Sequence, residues 1–318
     1  MNEPETLLSL ITDAAGGVPE PIKKSFFKAV SDLLGGLAAV PAAKLRQLTQ
    51  GIEDTTAARS MITDILTKAA VEEVSRDSAL AKVAAEIFLP TNIRKAKNRV
   101  GVAQAAAEQL ETDSVNNDGE NSAPPDDDWM NSFMRFAEDA SSERMQDLFG
   151  RVLSGQILRP GAFGLATLRT LSELDQALAN NFTQAWAVSV GDAVDYSPDW
   201  QRGEGFNRWK RLVEAGLMAS TETSQFLPPF KSIFNGAALW APVQVDNSGL
   251  LVHFLERSSS SWVHIDFTRV GRELGLLLPK PDYKENIRKM GHRLPRDGVT
   301  RIEITGEGKP SEVIWQAS

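Results

Sequence analysis

One stretch constrains this chain more than any other: "ETDSVNNDGENSAPPDDD", residues 111–128, where acids, asparagines, a glycine and two prolines surround a lone valine. Such a segment buries too little apolar surface to offset the entropy of ordering its backbone. It is expected to be a disordered acidic linker, kept extended by its own charge. The expected layout is therefore a helical N-terminal region over 1–110, the linker over 111–128, a helical array over 129–190 and a winged-helix-like α+β module over 191–318. The fold class is mainly α with a C-terminal α+β part.

Upstream of the linker, residues 20–110 read as helical. Apolar residues recur three and four apart, as in Ile62, Ile65, Leu66 and Ala69, and again in Leu80, Val83, Ala84 and Ile87. Pro90, Thr91 and Asn92 should interrupt the pattern, because proline ends a helix and biases its predecessor away from helical geometry. A new helix would begin near Ile93 with "IRKAKNR", whose Arg94, Lys95, Lys97 and Arg99 form a candidate membrane or anion contact. The uncharged run "LLGGLAAVPAA", residues 33–43, is far short of the roughly 20 residues that a spanning helix needs. Flanked by Lys23, Lys24, Lys28, Lys44 and Arg46, it has the makings of an interfacial segment.

Downstream, Trp129, Phe133, Phe136, Ala137 and Ala140 share one helical face, capped by Asp127 or Asp128. Met145, Leu148, Phe149, Val152 and Leu153 form the next stripe, capped by Ser141 or Ser142. Helices follow from Leu165, with Leu168 and Leu171, and after Asp175, with Leu178, Phe182 and Trp186. Between the second and third helices lies "RPGAFG". Pro160 and Gly161 stop the incoming helix, and Arg159 suits its C-terminal dipole. Gly164 opens a helix with no acid in its first turn, which leaves backbone donors for an anion. Arg159, Pro160, Gly161, Gly164 and Arg169 are thus a candidate binding loop, and a structural corner is the alternative. The Gly161–Gly164 spacing also resembles the glycine loop with which KH modules clamp single strands.

After Gly191 the pattern shortens. Phe206, Trp209, Leu212 and Val213 lie on one helical face that stops at Gly216, and strands follow. This resembles the recognition helix and wing of a winged-helix DNA binder, with Arg208, Lys210 and Arg211 as candidate nucleic-acid contacts. "LLVHFLER" and "SWVHIDFT" read as a hairpin across Ser258 to Ser261, with Val252 opposite Ile265 and Phe254 opposite Val263. That register sets His253 beside His264 and near Asp266, while His292 sits in a later basic helix. The surface of an amphipathic hairpin accounts for these groups better than a metal site does. A C-terminal hairpin, "VTRIEIT" with "SEVIWQA", should close the module.

Composition narrows the function classes. With 318 residues, 42% of them hydrophobic, the chain can fill more than one core, and a net charge of -8 argues against a globally basic nucleic-acid binder. The absence of cysteine excludes disulfides, thiol catalysis and cysteine zinc sites. The acidic start, "MNEPETLL", does not read as a secretory leader, so a soluble cytoplasmic protein is expected, peripheral to the inner membrane if the basic helices touch it. No nucleophile triad, Walker loop or dinucleotide pattern stands out. A non-enzymatic protein without cofactor or metal is the expectation.

Residues 129–175, "WMNSFMRFAEDASSERMQDLFGRVLSGQILRPGAFGLATLRTLSELD", resemble the core of the bacterial domain-of-unknown-function family 2806. That core has a tryptophan-led helix, an acidic turn, a "lqelfarlLag" helix and "PGsfslrtLrtLkeL". The basic stretch with Asn98 looks like the family's Arg-Asn helix. "IDFTRVGREL" looks like its Leu-Thr-x-x-Gly-x-x-Leu closing motif, with Phe267 in place of leucine. The chain is also similar to the abortive-infection protein alpha group. The resemblance implies a bacterial, intracellular protein with a role in phage defence and no catalytic residues to carry over. Its partners would be a protein or phage component, a second copy of itself, or a membrane surface, with nucleic acid as the lesser alternative. Gly164 stands where serine is usual in the family, so the capping hydroxyl is missing.

Overall fold

A computed structural model describes residues 11, 15–35, 78–114, 121–226, 229–232, 236–255, 258–306 and 309–318; for 78–90 and 309–310 it describes the backbone alone. The apolar run at 33–43 beyond Gly35, Lys44, Arg46 and the periodic stretch around Ile62 lie outside these residues. The chain divides into two compact units, residues 1–172 and 173–318.

The first unit is helical: α1 (Glu20–Leu34), α2 (Ser78–Asp113), α3 (Asp127–Ala137), α4 (Glu143–Leu158) and all but the last residue of α5 (Leu165–Glu173). α1 buries Ile22, Phe26, Ala29, Val30, Leu33 and Leu34 against α2, α3 and α4. α2 and α4 form the largest helix contact of the unit. Their backbones approach at Gly150, where a Cβ would lie 2.6 Å from Ala105 Cβ and 2.8 Å from the Ala106 nitrogen. Side-chain volume is missing there by design of the sequence, so the two helices pack closely. α3 stacks Trp129 on Phe133, with ring centroids 4.9 Å apart, and Phe133 meets Phe149 of α4 edge-on at 5.7 Å.

Three expectations change here. α2 runs unbroken through Pro90, Thr91 and Asn92. Proline removes one backbone donor and costs about 3 kcal/mol in a helix interior, and the packed turns from Val100 to Leu110 hold the helix despite it. The acidic stretch is ordered at both ends: α2 extends through Asp113, Pro125 is buried, and Ala123 N–H donates to the Ile157 carbonyl at 3.1 Å. Its middle, 115–120, lies outside the described residues. Asp126, rather than Asp127 or Asp128, caps α3 by accepting from Trp129 N–H at 2.9 Å. Because α2 packs on α4 across this stretch, residues on both sides of it share one core, and the unit boundary falls after Ser172.

In the second unit, α6 (Gln176–Ala187) is capped by Asp175 and leads into β1 (Ser189–Val190), β2 (Ala193–Asp195), α7 (Pro198–Gln201), α8 (Gly203–Glu214) and β3 (Thr223–Phe226). Then come β4 (Phe230–Lys231), β5 (Ala238–Val245), β6 (Ser248–Phe254), β7 (Ser261–Asp266), α9 (Arg269–Gly275), α10 (Tyr283–Arg293), β8 (Val299–Gly306) and β9 (Lys309–Gln316). The strands form two antiparallel sheets, ordered β1-β2-β7-β3 and β4-β5-β6-β8-β9. Phe182, Trp186 and Phe267 pack as an aromatic cluster. Trp240, Val252 and Ile302 of the larger sheet pack with Ile287 and Met290 of α10. Asn286 ties α10 down by donating to the carbonyls of Ala187 and Ser189, both at 2.9 Å.

β6 and β7 are both strands, but they are not partners. Val252 faces Trp240 and Ile302, whereas Ile265 faces Val194. Alternation sets which face of a strand is buried and leaves its neighbour open. The hairpin partner of β6 is β5, through the two-residue turn Asp246-Asn247, with Asp246 at φ 51°. β8 and β9 do form the closing hairpin.

Candidate functional site

The loop between α4 and α5 turns Phe163 and its backbone polar groups inward. Phe163 is 2% exposed, and its N–H donates to Gln156 Oε1 at 3.0 Å. Its carbonyl accepts from Trp129 Nε1 at 2.7 Å. Gly155 provides the room: a Cβ there would stand 2.7 Å from the Phe163 ring. Gly161 holds φ 84°, a conformation that glycine adopts readily, and the Gly164 carbonyl accepts from Thr167 and Leu168. Arg159, Pro160, Gly161 and Arg169 sit on the exposed rim. The arrangement is that of a packed corner, with Trp129 and Gln156 as its anchors.

A Trp129→Phe variant tests the anchor. It keeps the stack on Phe133 and leaves the Phe163 carbonyl buried without a donor, which should cost about 1–3 kcal/mol in urea unfolding. An unchanged midpoint would show that the indole N–H contributes nothing to the corner.

The basic cluster on α2 divides. Arg94 and Lys97 are exposed, while Lys95, Asn98 and Arg99, spaced i, i+3 and i+4, face the turn after α3. Lys95 Nζ meets Glu138 Oε1 at 2.5 Å, Arg99 Nη2 meets Glu138 Oε2, and Asn98 Nδ2 donates to the Glu138 carbonyl at 2.8 Å. Burial pushes the Glu138 carboxyl up, but the bonds from Lys95 and Arg99 outweigh it and hold the group below its ordinary value. Lys95 and Arg99 are therefore joined to the protein's own carboxylate, and only Arg94 and Lys97 face outward. Glu138 was not singled out in the sequence, although the spacing of its three partners marks one helical face.

The histidines lie on separate sheets. His253 Nε2 is 3.4 Å from Glu303 Oε1 beside Arg301, and burial pushes its imidazole below the usual value. His264 stacks on Trp262 at 4.3 Å, with Nε2 3.2 Å from Asp266. His292 is exposed on α10. Among the described residues no three histidine, aspartate or glutamate side chains converge as metal ligands.

On α8, Lys210 is exposed, and Arg211 Nη1 pairs with Glu204 Oε1 at 3.1 Å. Arg208 is half-buried, its Nε shielded without a hydrogen-bond partner. Trp209 is buried and donates to the Ala219 carbonyl at 2.8 Å, but Phe206, expected in the core, is 42% exposed against its edge. At the other end of the chain, the outward face of α1 carries Phe27, 49% exposed, among Lys23, Lys24 and Lys28. Lys28 pairs with Asp32 at 3.0 Å. Among the described residues no helix is long and apolar enough to cross a membrane.

These features define a mainly helical protein with a C-terminal α+β unit, whose most connected polar groups serve its own packing. Residues 90–200 match the family model described as "Protein of unknown function (DUF2806)", which supports the resemblance carried by the Trp129 helix, the corner and the Asn98 helix. Neither a curated protein nor a solved structure shows a significant match to the chain.

Proposed function

We propose that the chain is a non-enzymatic interaction protein that serves as a sensor or effector in bacterial phage defence, docking through its N-terminal helical unit on a membrane surface. The observation that carries this reading is the outward face of α1. A phenylalanine left half in solvent among three lysines, on a helix whose opposite face is buried, combines an apolar anchor with attraction to anionic headgroups. Of the α2 cluster, Lys95 and Arg99 are engaged by Glu138 within the unit, while Arg94 and Lys97 are exposed. The defence role rests on the similarity to the abortive-infection alpha group, and a protein or phage component is the other partner to test.

Co-sedimentation of the full chain with phosphatidylglycerol vesicles and with phosphatidylcholine vesicles checks the docking. Binding confined to the anionic vesicles, and weakened about fivefold by Phe27→Ala through loss of roughly 1 kcal/mol of apolar transfer, is the expected result. Equal partitioning of the variant would remove α1 from the contact. For the defence role, equal plating of a broad phage panel with and without the gene would end the proposal.

A second reading, a DNA-binding regulator, is favoured by one feature: β2-β7-β3 run in the order that a winged-helix arrangement gives its three strands, with α8 between β2 and β3 in sequence. Arg208, Lys210 and Arg211 would then meet the backbone, opposed by Glu204 and Glu214. A low-salt gel shift lost when the three are neutralised would support it, and no shift at low salt would end it.

A further inference from the structure

We propose that the outward face of α8 reads A·T base pairs in the major groove of duplex DNA, with Asn207 on adenine and Phe206 on the thymine methyl, a site that rests on the DNA-binding reading and is independent of the α1 surface. The inner side of the helix is pinned at several points. Trp209 and Leu212 are buried, Trp209 Nε1 donates to the Ala219 carbonyl at 2.8 Å, and at Gly205 a Cβ would lie 1.8 Å from the Asp199 carbonyl oxygen. That orientation leaves Arg202, Phe206, Asn207, Lys210 and Arg211 exposed. Twelve residues make a rod about 18 Å long, and a major groove about 12 Å wide admits a helix.

Charge selects a polyanion as the occupant. On α10, Lys284 and Arg288 pair with Glu312, and Arg293 with Asp195. At α8 the cations are in excess: among the described residues, Arg202, Arg208 and Lys210 pair with no carboxylate. Of the two acids on the helix, Glu204 is already neutralised by Arg211, and Glu214 lies at the far end. In a chain of net charge -8, three unmatched cations on and beside one helix form a local basic surface suited to phosphates.

The uncharged side chains supply the base contacts. Asn207 stands in the second turn, near the helix N-terminus from which such helices touch base edges. Its exposed amide makes no hydrogen bond among the described residues, and it carries one donor and one acceptor side by side, the complement of adenine N7 and N6. Lys210 and Arg211, three and four residues further on, share its face with Cβ atoms about 5–6 Å away. Phe206 is 42% exposed and is held edge-on against Trp209, with ring centroids 6.1 Å apart, so its free side meets the groove as an apolar surface. A lipid headgroup layer would leave the Asn207 amide without a complement, whereas an A·T pair satisfies the amide and the phenyl ring together.

Fluorescence anisotropy of the full chain with short duplexes of alternating A·T pairs and of G·C pairs tests the assignment. The A·T duplex should bind about tenfold more tightly, and replacing adenine by 7-deazaadenine, which lacks N7, should remove about that factor. Uracil in place of thymine should weaken binding about fourfold, the worth of one buried methyl. Asn207→Ala should abolish the response to 7-deazaadenine and Phe206→Ala the response to uracil, each with an unchanged circular dichroism spectrum, because alanine favours a helix more than either residue. Three phosphate contacts predict a loss of about fortyfold between about 50 and 200 mM salt, and Lys210→Gln should flatten that dependence. Binding to neither duplex at low salt would end the DNA-binding reading and this assignment with it. Binding indifferent to both base analogues, or analogue responses that persist in Asn207→Ala and Phe206→Ala, would leave DNA binding standing and overturn the base contacts.

Discussion

Gly150→Ala should destabilise the helical unit, although the same change in an ordinary helix interior stabilises by up to about 1 kcal/mol. The sign reverses because the added methyl would lie 2.6 Å from Ala105 Cβ and 2.8 Å from backbone atoms of Ala105 and Ala106. Backbone in the middle of α2 cannot step aside alone, so α2 and α4 must separate and loosen the contacts of Val102, Ala106, Phe149 and Leu153, all fully buried or nearly so. Overpacking of this kind costs about 1–3 kcal/mol, and Gly150→Leu should exceed it. At roughly 2–4 °C per kcal/mol for a unit of this size, the leucine variant should melt more than about 6 °C lower. Hydrogen exchange should report the loss first in 95–110 and 143–158. A Gly150→Ala protein as stable as the parent would mean that the helices are not in backbone contact.

Glu138→Gln should produce the second large effect. The amide keeps the shape but removes the charge that Lys95 and Arg99 share, leaving two cations about a third exposed without a counter-ion. About 1–3 kcal/mol should be lost at neutral pH, less than for a fully buried pair because water still reaches the cations. The pH dependence follows from the direction of the shift. The carboxyl of the folded protein titrates below that of the unfolded chain, so its contribution is fully present above the unfolded value near about 4.3 and is lost as pH falls through the folded one. The difference in urea midpoint between parent and variant should therefore shrink from pH 7 to pH 3. A constant difference would show that the carboxylate charge is not what Lys95 and Arg99 require.

Both predictions concern residues whose importance the sequence only half displays. The corner was legible as a break, because Pro160 and Gly161 cannot continue a helix. That Gln156 and Trp129 anchor Phe163 from 7 and 34 residues away is a tertiary fact. The α2 cluster was legible as basic charge. That Lys95 and Arg99 face Glu138, 43 and 39 residues downstream, is a tertiary fact. The β5–β6 hairpin left a local signal, Asp246-Asn247 between two alternating strands, that could have displaced the pairing of β6 with β7. The Arg293–Asp195 pair left none, since its members are 98 residues apart.

The sequence by itself determined what is local. Helical stripes such as Trp129–Phe133–Ala137 and Phe149–Val152–Leu153 follow from a period of 3.6, and the caps Ser142 and Asp175 follow from side chains within three residues of the donors they accept. It also fixed the family resemblance over the segment where those stripes are densest. Only the tertiary structure decided which strands pair, that α2 continues through Pro90, that the acidic stretch is pinned at both ends and that the compact units divide after Ser172. Each of these depends on contacts between residues far apart in the chain, where packing energy summed over many atoms outweighs a local preference of a few kcal/mol.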